Sequence, residues 1–344
     1  MPGFSRAERP GPHIRNAAML SQPDPVFTLA DLQTWSRPGI SLAVLGHPIK
    51  HSISPAMHNA ALAELAKRDS RFADWKYFRF EIPPEDLAPA LEIFHKKRFR
   101  GLNLTVPHKV IAFEYLTRRM SSGKIGDPFY ASHSVDRAAG PIGAVNTLRW
   151  TEDGWHGSNT DGYGLAMDIR GTLNQKLEGS DIILLGAGGA ARGAAVECLQ
   201  SLRPCRSLWI ANRSPANLEA LYTDLRAFAG NKASLHTFDP ATIPADLPAG
   251  AIVINATSVG LREDDAAPID LTAIPRPTGV YDMIYNPPRT GLLRTAMELG
   301  IPSANGLGML VRQGSKSLEL WSDVPAEQSA SAMFAAARAI FPVH

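Results

Sequence analysis

Two groups of residues in this chain could do chemistry. The first is a glycine-rich run, Gly186-Ala187-Gly188-Gly189-Ala190-Ala191, with the spacing G-x-G-x-x-A. Gly186 lets the chain turn sharply, the bare backbone at Gly188 lets a pyrophosphate come close, and Ala191 is small enough for a helix to lie against the preceding strand. That helix would aim its free N–H groups and the positive end of its dipole at the phosphates. The second group is a lysine and a carboxylate, Lys109 and Asp161. A dehydrogenase that uses a dinucleotide turns a carbonyl into an alkoxide, so an acid must stand near that oxygen. No His, Cys, Asp or Glu cluster has metal-ligand spacing, so no metal is expected and the acid should be a side chain. A lysine ammonium can give the proton and meet the growing negative charge, and a carboxylate beside it would hold its orientation. Most Lys and Asp side chains are solvated surface, and spacing alone leaves that reading of the pair open.

These residues need elements to hold them. Residues 182–185 are a short apolar run, long enough for one buried strand, and a helix from 190 to about 202 follows the glycines. The next strand, 207–211, ends at Asn212-Arg213-Ser214, where an acidic residue would hold the ribose of NAD; an arginine there would bind a 2′-phosphate and favours NADP. Further strands are expected at 234–238, 251–256 and 278–283, a helix at 291–299, a brief strand at 302–304 and a long helix from 306 to 321. The last helix, 326–341, carries an apolar stripe through Ala330, Met333, Phe334, Ala337 and Ile340.

Upstream, strands at 41–45, 75–82 and 101–105 alternate with helices at 54–67 and 84–96, an order that predicts a second α/β unit with a mainly parallel sheet. Ser54 reads as the N-cap of the 54–67 helix with Pro55 at its first position, so capping alone would explain Ser54 but not Ser52. Two short strands, 143–150 and 154–157, flank a turn, and Asp161 reads as the N-cap of a helix to about 173. Thr28 would cap a short helix over 29–35. Residues 1–25 read as a flexible leader, and 118–140 as a long loop or peripheral insert.

Composition excludes several classes. The 344 residues suffice for two domains, and 35 basic against 33 acidic residues leave a net charge of +2, which does not suggest nucleic acid as partner. Two cysteines, Cys198 and Cys205, do not make a disulfide framework. No apolar run approaches the roughly 20 residues of a membrane span, and no secretory signal is visible, so a cytoplasmic protein without a membrane partner is expected.

Eight motifs follow one another over about residues 41–321. They are Gly46-His47-Pro48-Ile49-Lys50-His51-Ser52-Ile53-Ser54-Pro55-Ala56-Met57-His58, Asn103-Leu104-Thr105-Val106-Pro107-His108-Lys109, Gly143-Ala144-Val145-Asn146-Thr147, Asn159-Thr160-Asp161-Gly162, Gly186-Ala187-Gly188-Gly189-Ala190, Asn255-Ala256-Thr257-Ser258, Tyr281-Asp282-Met283 and Gly306-Leu307-Gly308-Met309-Leu310. Together they resemble the shikimate dehydrogenase family. The resemblance implies a two-domain α/β enzyme with a cleft, reducing 3-dehydroshikimate to shikimate with NADPH in aromatic amino acid biosynthesis. It implies a substrate domain over 38–160, completed by C-terminal helices over 312–344, a Rossmann-type NADP-binding domain over 161–311, and an extra leader over 1–37.

By that resemblance Ser52, Ser54, Thr105, Asn146, Asp161 and Gln313 would hold the hydroxyls and carboxylate of shikimate, with Asn103 and Tyr285 lining the same pocket. Lys109 would be the acid/base, assisted by Asp161. Gly186, Ala187, Gly188, Gly189 and Ala190 would cradle the pyrophosphate, Asn212, Arg213 and Ser214 the ribose phosphate, and Thr257, Met283 and Gly306 would complete the cofactor site. Small hydroxyls and amides suit a polyol, since each buried substrate OH needs a partner. The family often has a second basic residue after Asn-Arg-Ser, which Pro215-Ala216-Asn217 does not supply. A quinate or dual quinate/shikimate enzyme is the alternative; threonine in the slot of Ser54 and an acid near Asn212 would mark it, and neither occurs. A non-catalytic NADP-binding regulator would have lost Lys109 or Asp161. A monomer or homodimer is expected.

Overall fold

The computed structural model describes residues 25–121, 133–200 and 203–341. The leader up to residue 24 and the part of the expected insert over 122–132 lie outside them.

Thr28 does cap a short helix, α1 (Leu29–Gln33), in a capping box with Asp31. The elements that follow are β1 (Ser41–Gly46), α2 (Ser54–Ala66), β2 (Lys76–Glu81), α3 (Leu87–Lys96), β3 (Gly101–Leu104), α4 (His108–Ser121), β4 (Ser134–Val135), α5 (Ala139–Ile142), β5 (Thr147–Thr151) and β6 (Gly154–Ser158). The first sheet runs β2-β1-β3-β5-β6-β4. β1 is buried at every position and pairs in parallel with β2 and β3. The β5–β6 hairpin adds antiparallel pairings on β3 and within itself, so the sheet is mixed beyond its parallel centre. The segment read as a loop over 118–140 contains the end of α4, the edge strand β4 and the start of α5. The strand expected from 143 begins at Thr147, because Gly143 instead ends α5 in the left-handed region at φ 68°.

The second half is α6 (Asp161–Thr172), β7 (Asp181–Leu185), α7 (Gly189–Gln200), β8 (Ser207–Ala211), α8 (Pro215–Ala229), β9 (Ser234–Phe238), β10 (Ile252–Asn255), β11 (Gly279–Asp282), α9 (Gly291–Glu298), β12 (Ser303–Asn305), α10 (Leu307–Ser322) and α11 (Ala326–Ile340). Its sheet runs β12-β11-β10-β7-β8-β9, every pairing parallel. This is the doubly wound order, with the direction of winding reversing at β7. β7, β8, β10 and β11 are buried throughout, as continuous apolar runs flanked by helices must be.

α10 and α11 then leave the second sheet. α10 packs along α6, and its Trp321 reaches the first sheet, where the indole N–H donates to Leu148 O at 3.0 Å. A Cβ on Gly101 would stand 2.1 Å from that indole, so β3 needs glycine there. α11 lies on α2 and buries Met333 and Ala337. Ile340, placed on the apolar stripe by its spacing, is 44% exposed, whereas the next residue, Phe341, packs its ring against Tyr285.

Candidate active site

Two helices begin where sequence rules would place a capping side chain, and in both the side chain does something else. α2 starts at Ser54, with Ile53 as N-cap and no side-chain capping bond. Ser54 is buried and lines a cavity, while Ser52 Oγ accepts the Ser54 N–H at 3.4 Å. The capping role read for Ser54 is therefore wrong, and Ser52 is the side chain that meets the helix start. α6 likewise starts at Asp161 itself, with Thr160 as N-cap and no side-chain capping bond. Asn159 Oδ1 accepts the Asp161 N–H at 3.1 Å, leaving the Asp161 carboxylate for other partners.

Those partners are Lys109 and Asn146. Lys109 Nζ donates to Asp161 Oδ2 at 2.6 Å, and Asn146 Nδ2 donates to Asp161 Oδ1 at 2.8 Å. Lys109 and Asp161 keep 30% and 24% of their side-chain surface accessible, enough to meet a ligand. Asn146 is itself fixed, since its Oδ1 accepts the Thr160 N–H at 2.9 Å and its Nδ2 also reaches Gln313 Oε1 at 3.3 Å. Gln313 is tied back to its own helix through Nε2 and Leu310 O at 3.0 Å. The pair comes from β3–α4 on one side and β6–α6 on the other, and α10 closes the third side.

Ser52, Ser54, Asn103, Thr105, Lys109, Asn146, Asp161, Met283, Tyr285, Gly306 and Gln313 all line one cavity of about 360 Å³. Burial pushes the Tyr285 phenol up from its ordinary value, so it stays a proton-bearing donor there. Asn103 differs from the others. It is 7% exposed, and both ends of its amide are engaged: Oδ1 accepts from Tyr77, and Nδ2 donates to Asn146 O, Thr147 Oγ1 and Ser317 Oγ.

Gly186, Ala187, Gly188, Asn212, Arg213 and Thr257 line a second cavity, of about 440 Å³, at the ends of β7, β8 and β10. Gly186 has φ +113°, a conformation that favours glycine, and a Cβ there would stand 3.1 Å from Ala256 O. At Gly188 and Gly189 a Cβ would meet nothing within 4 Å, so open space lies in front of the α7 N-terminus. Bare backbone, a helix N-terminus and the exposed Arg213 fit a phosphorylated dinucleotide. Gly189 and Ala190 line a third cavity, of about 520 Å³, which shares Lys109, Asp161 and Met283 with the first. Ser214 does not line the second cavity: its Oγ caps α8 by accepting the Asn217 N–H at 3.4 Å, and its carbonyl accepts from Asn212 Nδ2 at 3.0 Å. Buried Asn255 and Asp282 brace the two strand ends between these cavities, Asn255 Nδ2 donating to Asp282 Oδ1 at 3.0 Å. Burial raises the Asp282 pKa, and Thr290 Oγ1 donates to its Oδ2 at 2.6 Å.

Sequence reasoning missed Tyr77, Thr147, Thr160 and Ser317, which form the hydrogen-bonded floor under the first cavity. Ser317 was findable: it follows Gln313 by four residues on α10 and so shares its face. Among the described residues no group of three or more His, Cys, Asp and Glu could hold a metal ion, and no helix is long and apolar enough to cross a membrane.

Comparison with known proteins adds to this geometry. Residues 44–125 match the family model described as the shikimate dehydrogenase substrate binding domain. The chain is 35% identical over 283 residues to the shikimate dehydrogenase (NADP(+)) of Methanopyrus kandleri, covering 82% of this chain and 89% of that one. It is similar to the Thermus thermophilus shikimate 5-dehydrogenase solved with NADP(H) and shikimate, with TM-score 0.68 and 30% identity over 86% of this chain and 99% of that one. It is also similar to a Gluconobacter 5-ketofructose reductase, with TM-score 0.72 and 27% identity over 87% and 99% of the two chains.

Proposed function

Because the chain belongs to the shikimate dehydrogenase family, we propose that it catalyses the reversible, NADPH-dependent reduction of 3-dehydroshikimate to shikimate. The observation that carries this reading is the Lys109–Asp161 pair, hydrogen-bonded at 2.6 Å in a cavity whose other polar side chains are, His51 apart, hydroxyls and amides. Lys109 gives its Nζ proton to the ketone oxygen as negative charge develops there, and takes one from the hydroxyl in the reverse direction. Asp161, held from its other oxygen by Asn146, fixes the ammonium in place and balances its charge. Ser52, Ser54, Thr105, Asn146, Tyr285 and Gln313 would partner the hydroxyls and carboxylate of the ring. Asn103 would act from beneath, since its amide is already spent on protein partners.

NADP, when bound, supplies the hydride chemistry. Gly186 to Ala190 would hold its pyrophosphate, Arg213 and Asn212 its ribose phosphate, and Thr257, Met283 and Gly306 the remainder. Ser214 would contribute through the α8 cap and the backbone it offers to Asn212, rather than by a side-chain contact in that cavity. The division proposed is a substrate domain over 38–160 completed by helices over 312–344, and a cofactor domain over 161–311. Trp321 on the first sheet and α11 on α2 support it. A cytoplasmic monomer or homodimer is proposed.

The test is the initial rate of oxidation of shikimate and of quinate, each with NADP+ and with NAD+. Turnover with shikimate and NADP+ well above the other three pairs is expected. Comparable rates with quinate or NAD+ would move the protein to a dual-specificity enzyme. No turnover with any pair, in protein that still binds NADP+, would make it a regulator, and turnover of 5-ketofructose alone would place it with the Gluconobacter enzyme.

A further inference from the structure

One motif residue, His58, and its neighbour Asn59 have no part in the site described so far. They follow Ser54 by four and five positions on α2, so His58 lies one helical turn along the same face. The His58 ring lies flat on the ring of Tyr77 in β2, with centroids 4.1 Å apart and planes within 1°. Asn59 takes hold of the same residue by its backbone. Its Nδ2 donates to Tyr77 O at 3.0 Å, and its Oδ1 accepts the Tyr77 N–H at 2.9 Å. β2 is an edge strand of the first sheet, and Asn59 pairs the amide groups that Tyr77 turns away from β1.

The hydroxyl of the clamped tyrosine points at the substrate floor. Tyr77 is 1% exposed, and its OH donates to Asn103 Oδ1 at 2.8 Å. The protons can be assigned. Asn103 Nδ2 faces the carbonyl of Asn146 at 3.2 Å, which can only accept, so the amide oxygen must be the end that faces Tyr77. That oxygen can only accept, and the single phenolic proton goes to it. The same Asn103 continues through Ser317 at 2.9 Å and Thr147 at 3.2 Å toward Asn146, which holds Asp161.

We propose that Tyr77, clamped by His58 and Asn59, is a positioning residue for substrate, fixing where the Asn103 amide stands beneath the bound ring. It acts through that amide and touches neither cofactor nor the reacting atoms. Asp161 has its own supports in Lys109 and Asn159, so losing the far end of the network leaves the catalytic pair in place.

The proposal rests on the shikimate reading, and its test separates the two. Tyr77→Phe removes one oxygen and keeps the stacked ring and the backbone clamp. KM for shikimate should rise about five- to tenfold, the scale of one hydrogen bond, with kcat within about twofold and KM for NADP+ unchanged. Asn59→Ala, which frees the clamp but keeps the hydroxyl, should raise KM for shikimate in the same direction and keeps the idea testable should Tyr77→Phe fold poorly. An unchanged KM in Tyr77→Phe, or equal losses for shikimate and NADP+, would overturn the clamp while leaving the activity standing. A wild-type protein with no turnover of shikimate would overturn the activity and the clamp with it.

Discussion

Lys109 and Asp161 contribute to this protein in a way that stability alone would not explain. An ion pair whose members keep 30% and 24% of their side-chain surface is screened by solvent, and such pairs contribute about 1 kcal/mol or less to folding. The position of the pair is set by backbone instead: Lys109 O accepts the Val145 N–H at 3.0 Å whatever the side chain. Lys109→Ala should therefore leave the melting temperature within a few degrees of wild type and cut kcat by about 10² or more, the scale of lost general acid catalysis. KM for shikimate should move less. Melting curves and steady-state rates on the same preparation check both halves. Near-normal turnover would remove Lys109 from the chemistry, and a collapsed melting temperature would make it a structural residue.

At the level of elements, the start of α10 has no slack. A Cβ on Gly306 would stand 2.1 Å from Met283 O and 2.6 Å from Met283 C, so the helix start sits flush on the end of β11. The obstruction is backbone, which no rotamer change relieves. Gly306→Ala should force the two apart at a cost of about 1–3 kcal/mol, and it should lower kcat/KM, because Met283, Gly306 and Gln313 line one cavity. An alanine variant matching wild type in melting temperature and rate would contradict that contact. The sequence makes much of this layer legible. Apolar runs locate β1, β7, β8 and β10, and the glycine spacing locates the turn into α7. It misreads helix starts, because cap rules weigh only the local backbone. Ser54 lines the cavity instead, and the Asp161 side chain turns to partners from α4 and the 143–146 segment. The β5–β6 hairpin is legible as two short strands around a local turn. The tyrosine in the floor is not, because it depends on a contact between distant segments, Tyr77 and Asn103, which no window of sequence displays.

Across the whole molecule, stability against acid gathers contributions of opposite sign from its buried groups. His58 is fully buried between Tyr77 and Trp321, and neither ring nitrogen has a partner among the described residues. Burial lowers its pKa from the ordinary 6.5 to about 3. Between those values the unfolded chain binds a proton that the folded one refuses, so this contribution is complete above 6.5 and is lost as pH falls toward 3. Asp168, Asp282 and Glu197 work the other way. Burial raises each of them, the folded state binds the extra proton, and they return stability as pH falls toward the ordinary 3.8 of the aspartates and 4.5 of the glutamate. The wild-type curve mixes these with the other shifted groups, His108 and Asp181 among them, and comparison with His58→Phe, which keeps an aromatic ring against Tyr77, isolates one. The buried histidine costs wild type about 1.4 kcal/mol per pH unit below 6.5. Denaturant unfolding of both proteins at about pH 7 and about pH 5 should show wild type losing roughly 2 kcal/mol more than the variant over that interval. Any constant difference in packing cancels, since only the change with pH is compared. Parallel losses would mean that folded His58 takes up its proton at an ordinary pH, and water would then have to reach the floor beneath Ser54.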